Sequence, residues 1–221
     1  MRKKIISFLI ALSAFNSTGV FAAFSDVSGE GAKEINALCE QGIIKGTSET
    51  TFSPDENITR AEFSALITRA FDIPQRAYEN QFSDVSADDW FAGAVSAMHE
   101  MGIIEGYDGK FNPYDNITHE QSCKILSLIF EDRAEKVTYP YAYTSIYQDY
   151  FKISEWARDY VAKATMIGCV TYSTQDFRTS GDKGIQNLEP QKAQTRRETA
   201  ICVYRTLNAV NNYKERVYEE E

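Results

Sequence analysis

Histidine is scarce in this sequence, and the catalytic patterns that usually depend on it are missing. Only two of the 221 residues are histidines. Neither His99 nor His119 stands in a His-Glu-x-x-His pattern or a Cys-His signature, and no Gly-x-Ser-x-Gly accompanies them. The EF-hand calcium pattern is absent as well. We therefore expect a protein that is not an enzyme and that uses no metal or other cofactor.

Cysteine is also sparse, and the four cysteines follow no zinc or redox spacing. All four, which are Cys39, Cys123, Cys169 and Cys202, fall at or near apolar positions of helical patterns. This placement favours buried free thiols, since free cysteine is among the most buried residue types. Export to an oxidising space would instead allow Cys169 and Cys202 to form a disulfide. Both alternatives remain open at this stage.

Positive charge is in short supply. The chain has 23 Lys and Arg residues against 32 Asp and Glu residues, a formal net charge of −9. It contains no basic patch or stripe, and binding to a phosphate backbone needs clustered positive charge. We expect no nucleic acid partner. Hydrophobic residues make up 43% of the chain, which is ample for a packed core.

Long apolar runs are missing too. The run at residues 5–12 follows a basic start and precedes a small-x-small cleavage site at residues 20–22, as in a secretory signal peptide. It is shorter than the ~20 apolar residues of a transmembrane helix, and no later run reaches that length. The sequence predicts a signal peptide at residues 1–22, no transmembrane segment and a secreted mature protein.

What the sequence does contain is a threefold repeat. Ile-Thr-Arg-Ala-Glu at residues 58–62 returns as Ile-Thr-His-Glu-Gln at 117–121 and as Gln-Thr-Arg-Arg-Glu at 194–198. In each copy a threonine precedes Glu or Gln by three residues, which is the capping-box spacing of a helix N-terminus. Apolar residues follow at helical spacing. Each copy therefore predicts the start of a helix with one buried face.

Other segments recur in a fixed order before each capping threonine: an Asp-containing segment, a helical pattern ended by glycine, and a proline loop. The Asp-containing segments are Phe-Ser-Asp-Val at 24–27 and 82–85 and Tyr-Gln-Asp-Tyr at 147–150. The glycines are Gly42, Gly102 and Gly168, and the prolines are Pro54, Pro113 and Pro190. Each proline stands five residues before its threonine, so the three units align.

The repeats predict three modules after the signal peptide, which are residues 23–78, 79–138 and 139–210. The third module is divergent, and its additional residues fall in the polar stretch 173–186, which predicts a surface loop. The irregular, tyrosine-bearing stretch 131–147 predicts a linker between modules two and three. The acidic tail, residues 211–221, is expected to fray.

Arg60 and Arg196 stand at the first helical position, where the helix macrodipole disfavours a cation. One explanation is an anion pocket, in which the arginine and the unpaired N–H groups of the helix end bind a carboxylate. The other is that each arginine pairs with a nearby acidic side chain. Repetition at the same offset favours the pocket.

In their order, these segments resemble the S-layer homology module, whose pattern runs Phe-x-Asp-Val, Trp, an apolar helix, Gly-Ile-Ile-x-Gly, Phe-x-Pro and Ile-Thr-Arg-Ala-Glu. The resemblance covers nearly the whole mature chain. It implies an all-α fold of three tandem helix-loop-helix modules packed with pseudo-threefold symmetry. It also implies that grooves between modules bind a secondary cell-wall polysaccharide, commonly one with a pyruvate ketal whose carboxylate meets the arginine. The protein would be extracellular, attached to the cell wall or S-layer.

By the same resemblance, the ligand-binding residues would be the aspartates, tryptophans, second turn glycines and capping residues of the modules. They are Asp26, Asp84, Trp90, Trp156, Gly46, Gly106, Arg60, Glu62, His119, Gln121, Arg196 and Glu198. We expect one groove to combine Arg60 and Glu62 with Trp90 of the neighbouring module. Structural alternatives stay open. The aspartates can cap helices, Glu62 can serve only its capping box, and Trp156 is expected to pack in the core.

Three departures from the family pattern predict that the complete set of binding residues does not occur in every groove. Module one lacks the tryptophan, and module three lacks the second turn glycine. Module two has His119 in place of the arginine, and an unperturbed histidine is mostly neutral at pH 7 and a poorer partner for an anion.

The resulting prediction is non-covalent anchoring to the cell surface. Because the modules fill the mature chain, we expect the cargo to be another surface protein, or the chain itself to join a surface layer. The alternative is an extracellular protein-interaction or S-layer assembly scaffold that has lost sugar binding, with contacts from the linker and the 173–186 stretch.

Overall fold

The computed structural model describes residues 24–136, 144–171, 173–175 and 185–219. The expected signal peptide, the linker residues Tyr139, Tyr141 and Tyr143, the central part of the 173–186 stretch and the last two glutamates lie outside these residues.

The described residues form six α-helices, two short 3-10 helices and one antiparallel hairpin. The α-helices are α1 (Ala32–Glu40), α2 (Arg60–Ala70), α3 (Ala92–Glu100), α4 (His119–Arg133), α5 (Arg158–Ile167) and α6 (Arg196–Glu219). The 3-10 helices are Tyr150–Lys152 and Glu155–Ala157, and the strands are β1 (Ser173–Gln175) and β2 (Ile185–Asn187). The all-α fold is confirmed. Each module has one α-helix before its proline loop and one after it.

Capping boxes start α2, α4 and α6, as their sequences predict. The Thr59 N–H donates to Glu62 Oε2 at 2.8 Å, and the Glu62 N–H donates to the Thr59 hydroxyl at 3.2 Å. The other two modules make the same reciprocal pair. Glycine ends α1, α3 and α5 as expected, with positive φ at each of these three positions.

The apolar faces of the helices meet in a shared core. Helix α4 packs against α5 and α6, α6 also packs against α1 and α2, and α2 packs against α3. Each helix places a fully buried side chain in the core: Ile35, Phe63, Val95, Leu126, Val161 and Val203.

Three backbone hydrogen bonds form a closed ring where the modules meet. The Ile58 N–H donates to the Gln194 carbonyl at 3.1 Å, and the Gln194 N–H donates to the Ile117 carbonyl at 2.9 Å. The Ile117 N–H completes the ring by donating to the Ile58 carbonyl at 3.1 Å. Each of these residues directly precedes a capping threonine. The ring therefore joins equivalent positions of three modules, and the structure is pseudo-threefold.

One aspartate in each module fixes the loop before the proline. Asp26 accepts hydrogen bonds from the N–H groups of Phe52 at 2.9 Å and Ser53 at 2.8 Å. The Phe52 N–H is the main cause of a lowered pKa at Asp26. Asp84 and Asp149 hold the equivalent loops in the same way. The alternative that the aspartates cap the next helices is wrong, since α1 and α3 begin without a side-chain cap.

Two expectations fail near the end of the chain. The tail does not fray at residue 211, because α6 continues to Glu219. Tyr213 donates to Glu135 Oε2 at 3.1 Å, and its ring lies 6.4 Å from that of Phe130. The 173–186 stretch is not purely a loop, because its ends pair as β1 and β2. Its polar sequence lacks the apolar alternation that would have predicted strands.

Candidate ligand-binding grooves between modules

The first groove, of about 200 Å³, is built from all three modules. Module three contributes Arg196 from the start of α6. Module one contributes Lys45 from its glycine turn, together with Glu62 and Arg69 from α2. Module two contributes Trp90.

The second groove, of about 500 Å³, repeats this plan one module further along the cycle. Module one contributes Arg60, and module three contributes Trp156. Module two contributes Gly106 of its glycine turn, with Gln121 and Lys124 from α4. Both grooves therefore combine the arginine of one module, the turn and capping helix of a second, and the tryptophan of a third.

The arginine of the second groove is held by hydrogen bonds to the next module that do not use all of its N–H groups. Arg60 donates from Nε to the Phe111 carbonyl at 2.9 Å, from Nη1 to Gln121 Oε1 at 3.3 Å and from Nη2 to the Glu105 carbonyl at 3.3 Å. Its guanidinium lies 4.7 Å from the Phe111 ring centroid. Burial lowers the pKa of Arg60, and nearby carboxylates oppose that effect. Because a guanidinium has five N–H donors, two remain beyond these contacts.

The arginine of the first groove has the equivalent placement. Arg196 donates from Nε to the Phe52 carbonyl and from Nη2 to the Lys45 carbonyl, each at 2.9 Å, and lies 4.6 Å from the Phe52 ring centroid. These contacts leave three donors. A planar guanidinium fixed in this way suits a carboxylate, which it can bind through two parallel hydrogen bonds.

The backbone N–H groups of the helix ends are not available to an anion, so that part of the predicted pocket is wrong. The Arg60 N–H donates to the Asp115 carbonyl at 2.9 Å, and the Ala61 N–H donates to the Pro113 carbonyl at 3.0 Å. Carbonyls of the neighbouring proline loops occupy the starts of α4 and α6 in the same way. The ion-pair alternative is not seen either, since the salt bridges among the described residues include neither Arg60 nor Arg196.

Both tryptophans are exposed at the grooves. Trp90 is 62% exposed and meets the buried Phe91 ring edge-on, with 5.3 Å between the ring centroids. Trp156 is 49% exposed, so the expectation that it packs in the core is wrong. The next residue, Ala157, takes the buried position of that 3-10 helix instead. Each ring therefore offers apolar surface to a molecule in its groove.

The expected grouping of Arg60, Glu62 and Trp90 is also wrong. Glu62 and Trp90 line the first groove with Arg196, whereas Arg60 lines the second groove with Trp156. The reason is that the arginine side chain leaves its own helix and lies on the next module, which adjacency in sequence does not show.

The third interface has a histidine where the other two have arginine. His119 is 5% exposed, donates from Nδ1 to the Leu188 carbonyl at 2.7 Å, and places Nε2 3.4 Å from Glu198 Oε2. Burial raises the pKa of Glu198, but hydrogen bonds from His119 and Thr195 outweigh this effect and lower the pKa to about 2. Module one has no tryptophan to offer here. At this interface His119 and Glu198 are therefore occupied by contacts within the protein, whereas the equivalent residues of the other modules line the two grooves.

The other predicted site residues have clear structural contacts. Asp26 and Asp84 use their carboxylates on loop N–H groups and line neither groove. A Cβ on Gly46 or Gly106 would collide with the phenylalanine ring of the same module's first segment. These glycines therefore let that ring pack on the turn, and Gly106 also lines the second groove.

Sequence reasoning missed several charged groove residues. Arg69 donates from Nη1 to the Ile43 carbonyl at 2.7 Å in the first groove. In the second groove Lys124 pairs with Glu105 at 2.7 Å, which lowers the pKa of Glu105. Helical periodicity was the available signal, because Arg69 and Lys124 lie seven and three residues after the capping-box Glu or Gln, on the same helix face.

The four cysteines are free and buried, in agreement with the alternative that the sequence favours. Burial raises the pKa of Cys39 and Cys202 to about 11 and that of Cys169 to about 12. Such thiols are unreactive in the folded protein, since the thiolate is the nucleophile.

Comparison with known proteins identifies the family. Residues 23–64 and 81–121 match the S-layer homology domain, each from its first aromatic segment to its capping box. These two segments of the chain are S-layer homology domains. Neither match includes the third module, which the hydrogen-bonded ring and the Asp149 clamp relate to the other two.

Curated relatives extend the likeness over most of the chain. An exoglucanase XynX of Acetivibrio thermocellus and an amylopullulanase of Thermoanaerobacterium thermosulfurigenes are each 32% identical over 190 residues, 86% of this chain. A surface-layer 125 kDa protein of Lysinibacillus sphaericus is 30% identical over 189 residues, 85% of this chain. The chain spans only 16%, 10% and 15% of the lengths of these relatives.

The S-layer homology domain is a non-catalytic anchoring module of S-layer and cell-surface proteins. In the part of this chain that the structure describes, no helix is long and apolar enough to cross a membrane. The same residues contain no cluster of His, Cys, Asp or Glu that could hold a metal ion.

Proposed function

We propose that this chain is secreted and anchors non-covalently to the cell wall by binding a pyruvylated secondary cell-wall polysaccharide in its two grooves. The observation that carries the proposal is the repeated groove plan. Arg60 with Trp156, and Arg196 with Trp90, occupy equivalent positions, each pairing a fixed guanidinium with an exposed ring from another module.

The chemistry of such a ligand fits these groups. A ketal carboxylate can take the remaining guanidinium donors, and hydrogen bonds to charged groups are worth about 1.5–3 kcal/mol each. The tryptophan ring offers an apolar face to the sugar ring. Because the whole chain is acidic, attraction to an anionic polymer has to come from these local donors, to which Lys45, Arg69 and Lys124 add positive charge.

We further propose that the third interface binds no polysaccharide. His119 is buried between the Leu188 carbonyl and Glu198, so its ring nitrogens are already used. This assigns two binding grooves to one chain. Another surface protein, or further copies of this chain, would then be the load that the anchor holds.

The test is sedimentation of residues 23–221 with purified cell-wall polysaccharide, before and after mild acid removal of the pyruvate ketals. We expect retention on the intact polymer and loss of retention after the treatment. Retention on both polymers would show that the ketal is not recognised. Retention on neither would contradict anchoring and favour the scaffold alternative.

A matched pair of variants locates the interaction. The double variant Trp90→Ala, Trp156→Ala should lose retention. The control is Phe151→Ala, because Phe151 is 67% exposed and lines neither groove. If the control variant lost retention and the double variant kept it, the ligand would bind outside the grooves.

A further inference from the structure

Glu120 is a buried carboxylate that the groove chemistry described above does not use. Its side chain belongs to module two and is 4% exposed. Oε1 accepts from the Ser154 hydroxyl at 2.7 Å, and Oε2 accepts from the Ser154 N–H at 3.0 Å and from Gln191 Nε2 at 3.2 Å. All these donors belong to module three. A buried carboxylate is costly without such donors, so Glu120 requires module three to be in this place.

Ser154 directly precedes the 3-10 helix Glu155–Ala157, which carries Trp156. The Ser154 side chain makes no capping bond to that helix, because its hydroxyl is turned to Glu120. Ala157, at the other end of the turn, is fully buried. The segment is therefore fixed on both sides of Trp156, by the Glu120 carboxylate and by the core.

The equivalent residues of the other modules show what Glu120 adds. In module three the residue equivalent to Glu120 is Arg197, which donates from Nη1 to the carbonyls of Ser28 and Glu30, at 3.2 and 2.6 Å. That is the segment of module one that has no tryptophan. In module one the residue equivalent to Glu120 is Ala61, which has no side-chain donor or acceptor. The tryptophan segment of module two therefore has no such hydrogen bond, and the Trp90 ring packs on Phe91.

We propose that Glu120 is a positioning residue for the second groove. By holding Ser154 it sets the orientation of the Trp156 ring, and through that ring it sets the affinity of this groove for a saccharide. The claim about affinity rests on the proposed function, whereas the claim about orientation stands without it.

The test uses Glu120→Ala in a Trp90→Phe background, in which Trp156 is the sole tryptophan. Alanine is the natural residue at the equivalent position of module one. Relative to the Trp90→Phe parent, we expect the Trp156 emission maximum to shift to the red and acrylamide quenching to increase. Titration with pyruvylated polysaccharide, followed by Trp156 emission, should show an affinity lower by about tenfold, which is about 1.4 kcal/mol.

Arg197→Ala in the same background is the matched control. It removes a contact between modules at the equivalent position without touching the tryptophan segment. This variant should lose stability and keep the emission maximum, quenching and affinity of the parent. If Arg197→Ala changed the Trp156 signal as much as Glu120→Ala does, a general loosening between modules would explain the effect and the proposal would be wrong.

The proposal is overturned if folded Glu120→Ala has the emission and quenching of the parent. Should that variant not fold, Ser154→Ala takes its place, since it removes the shortest of the three bonds to Glu120. An unchanged Trp156 signal in Ser154→Ala would equally overturn it. If the parent fails to bind polysaccharide, the proposed function fails. The emission comparison still tests whether Glu120 sets the orientation of the Trp156 ring.

Discussion

At the scale of single residues, the Glu198 carboxylate joins the capping box of α6 to the histidine of module two. The Thr195 N–H donates to it at 2.7 Å, and His119 Nε2 lies 3.4 Å away. These contacts outweigh burial and lower the pKa from 4.5 to about 2. A carboxyl group whose folded pKa lies below its unfolded pKa stabilises the fold above the unfolded value. That contribution is lost as the pH falls from about 4.5 toward about 2.

Glu198→Gln should therefore destabilise the protein at neutral pH, and the difference from wild type should disappear by about pH 2. Glutamine keeps the capping box, as Gln121 shows in module two. Urea unfolding at a series of pH values measures the difference. Glu62→Gln is the matched control, because it makes the same change in a capping box that has no histidine partner. A difference for Glu198→Gln that is constant from pH 7 to pH 2 would exclude this role.

A second residue-scale feature is the left-handed backbone before each loop proline. The φ angles of Ser53, Asn112 and Glu189 are 56°, 55° and 54°. This region is unfavourable for L-residues, and asparagine tolerates it better than most. The aspartate clamps hold the N–H groups of these residues, which explains how serine and glutamate remain in this conformation.

Exchanging serine and asparagine between the equivalent positions of modules one and two tests this strain. Asn112→Ser should destabilise the protein by about 0.5–1 kcal/mol, because asparagine tolerates the left-handed region better than serine does. Ser53→Asn should stabilise it by less than this, because that change also removes the exposed hydrogen bond between the hydroxyls of Ser53 and Thr47 at 2.9 Å. Urea unfolding at pH 7 gives both values. Two changes of the same sign would show that other contacts of these side chains dominate.

At the scale of helices and loops, sequence reasoning succeeded where the interactions are local. The capping threonines and the terminating glycines determine helix ends through contacts within a few residues, so the repeats predict those ends. The contacts that shape the grooves join distant residues. The Arg60 side chain reaches Phe111, and Arg196 reaches Phe52, which no spacing in the sequence indicates.

The same distinction explains the errors at Trp156 and at the helix starts. Periodicity cannot decide which of two adjacent residues of a short 3-10 helix is buried, and Ala157 takes that position. A helix N-terminus appears vacant when it is considered alone. The proline loop of the next module fills it, as the bond from Ala61 N–H to the Pro113 carbonyl shows.

At the scale of the whole molecule, an almost symmetric backbone carries an asymmetric set of sites. The ring through Ile58, Ile117 and Gln194 relates the three modules closely. Two interfaces keep an arginine and an exposed tryptophan, and the third has His119 buried against Glu198 instead. We infer that the interfaces have different roles: the interface with His119 holds the modules together, and the other two bind the cell wall.

Titration calorimetry with a pyruvylated oligosaccharide long enough for one groove tests this central claim most directly. The account predicts two equivalents bound per chain, one equivalent for either Trp90→Ala or Trp156→Ala, and none for the double variant. Each single change should weaken its own groove by about 2 kcal/mol, roughly 30-fold. Three equivalents for the wild type, or an unchanged stoichiometry in both single variants, would contradict the assignment of the two grooves.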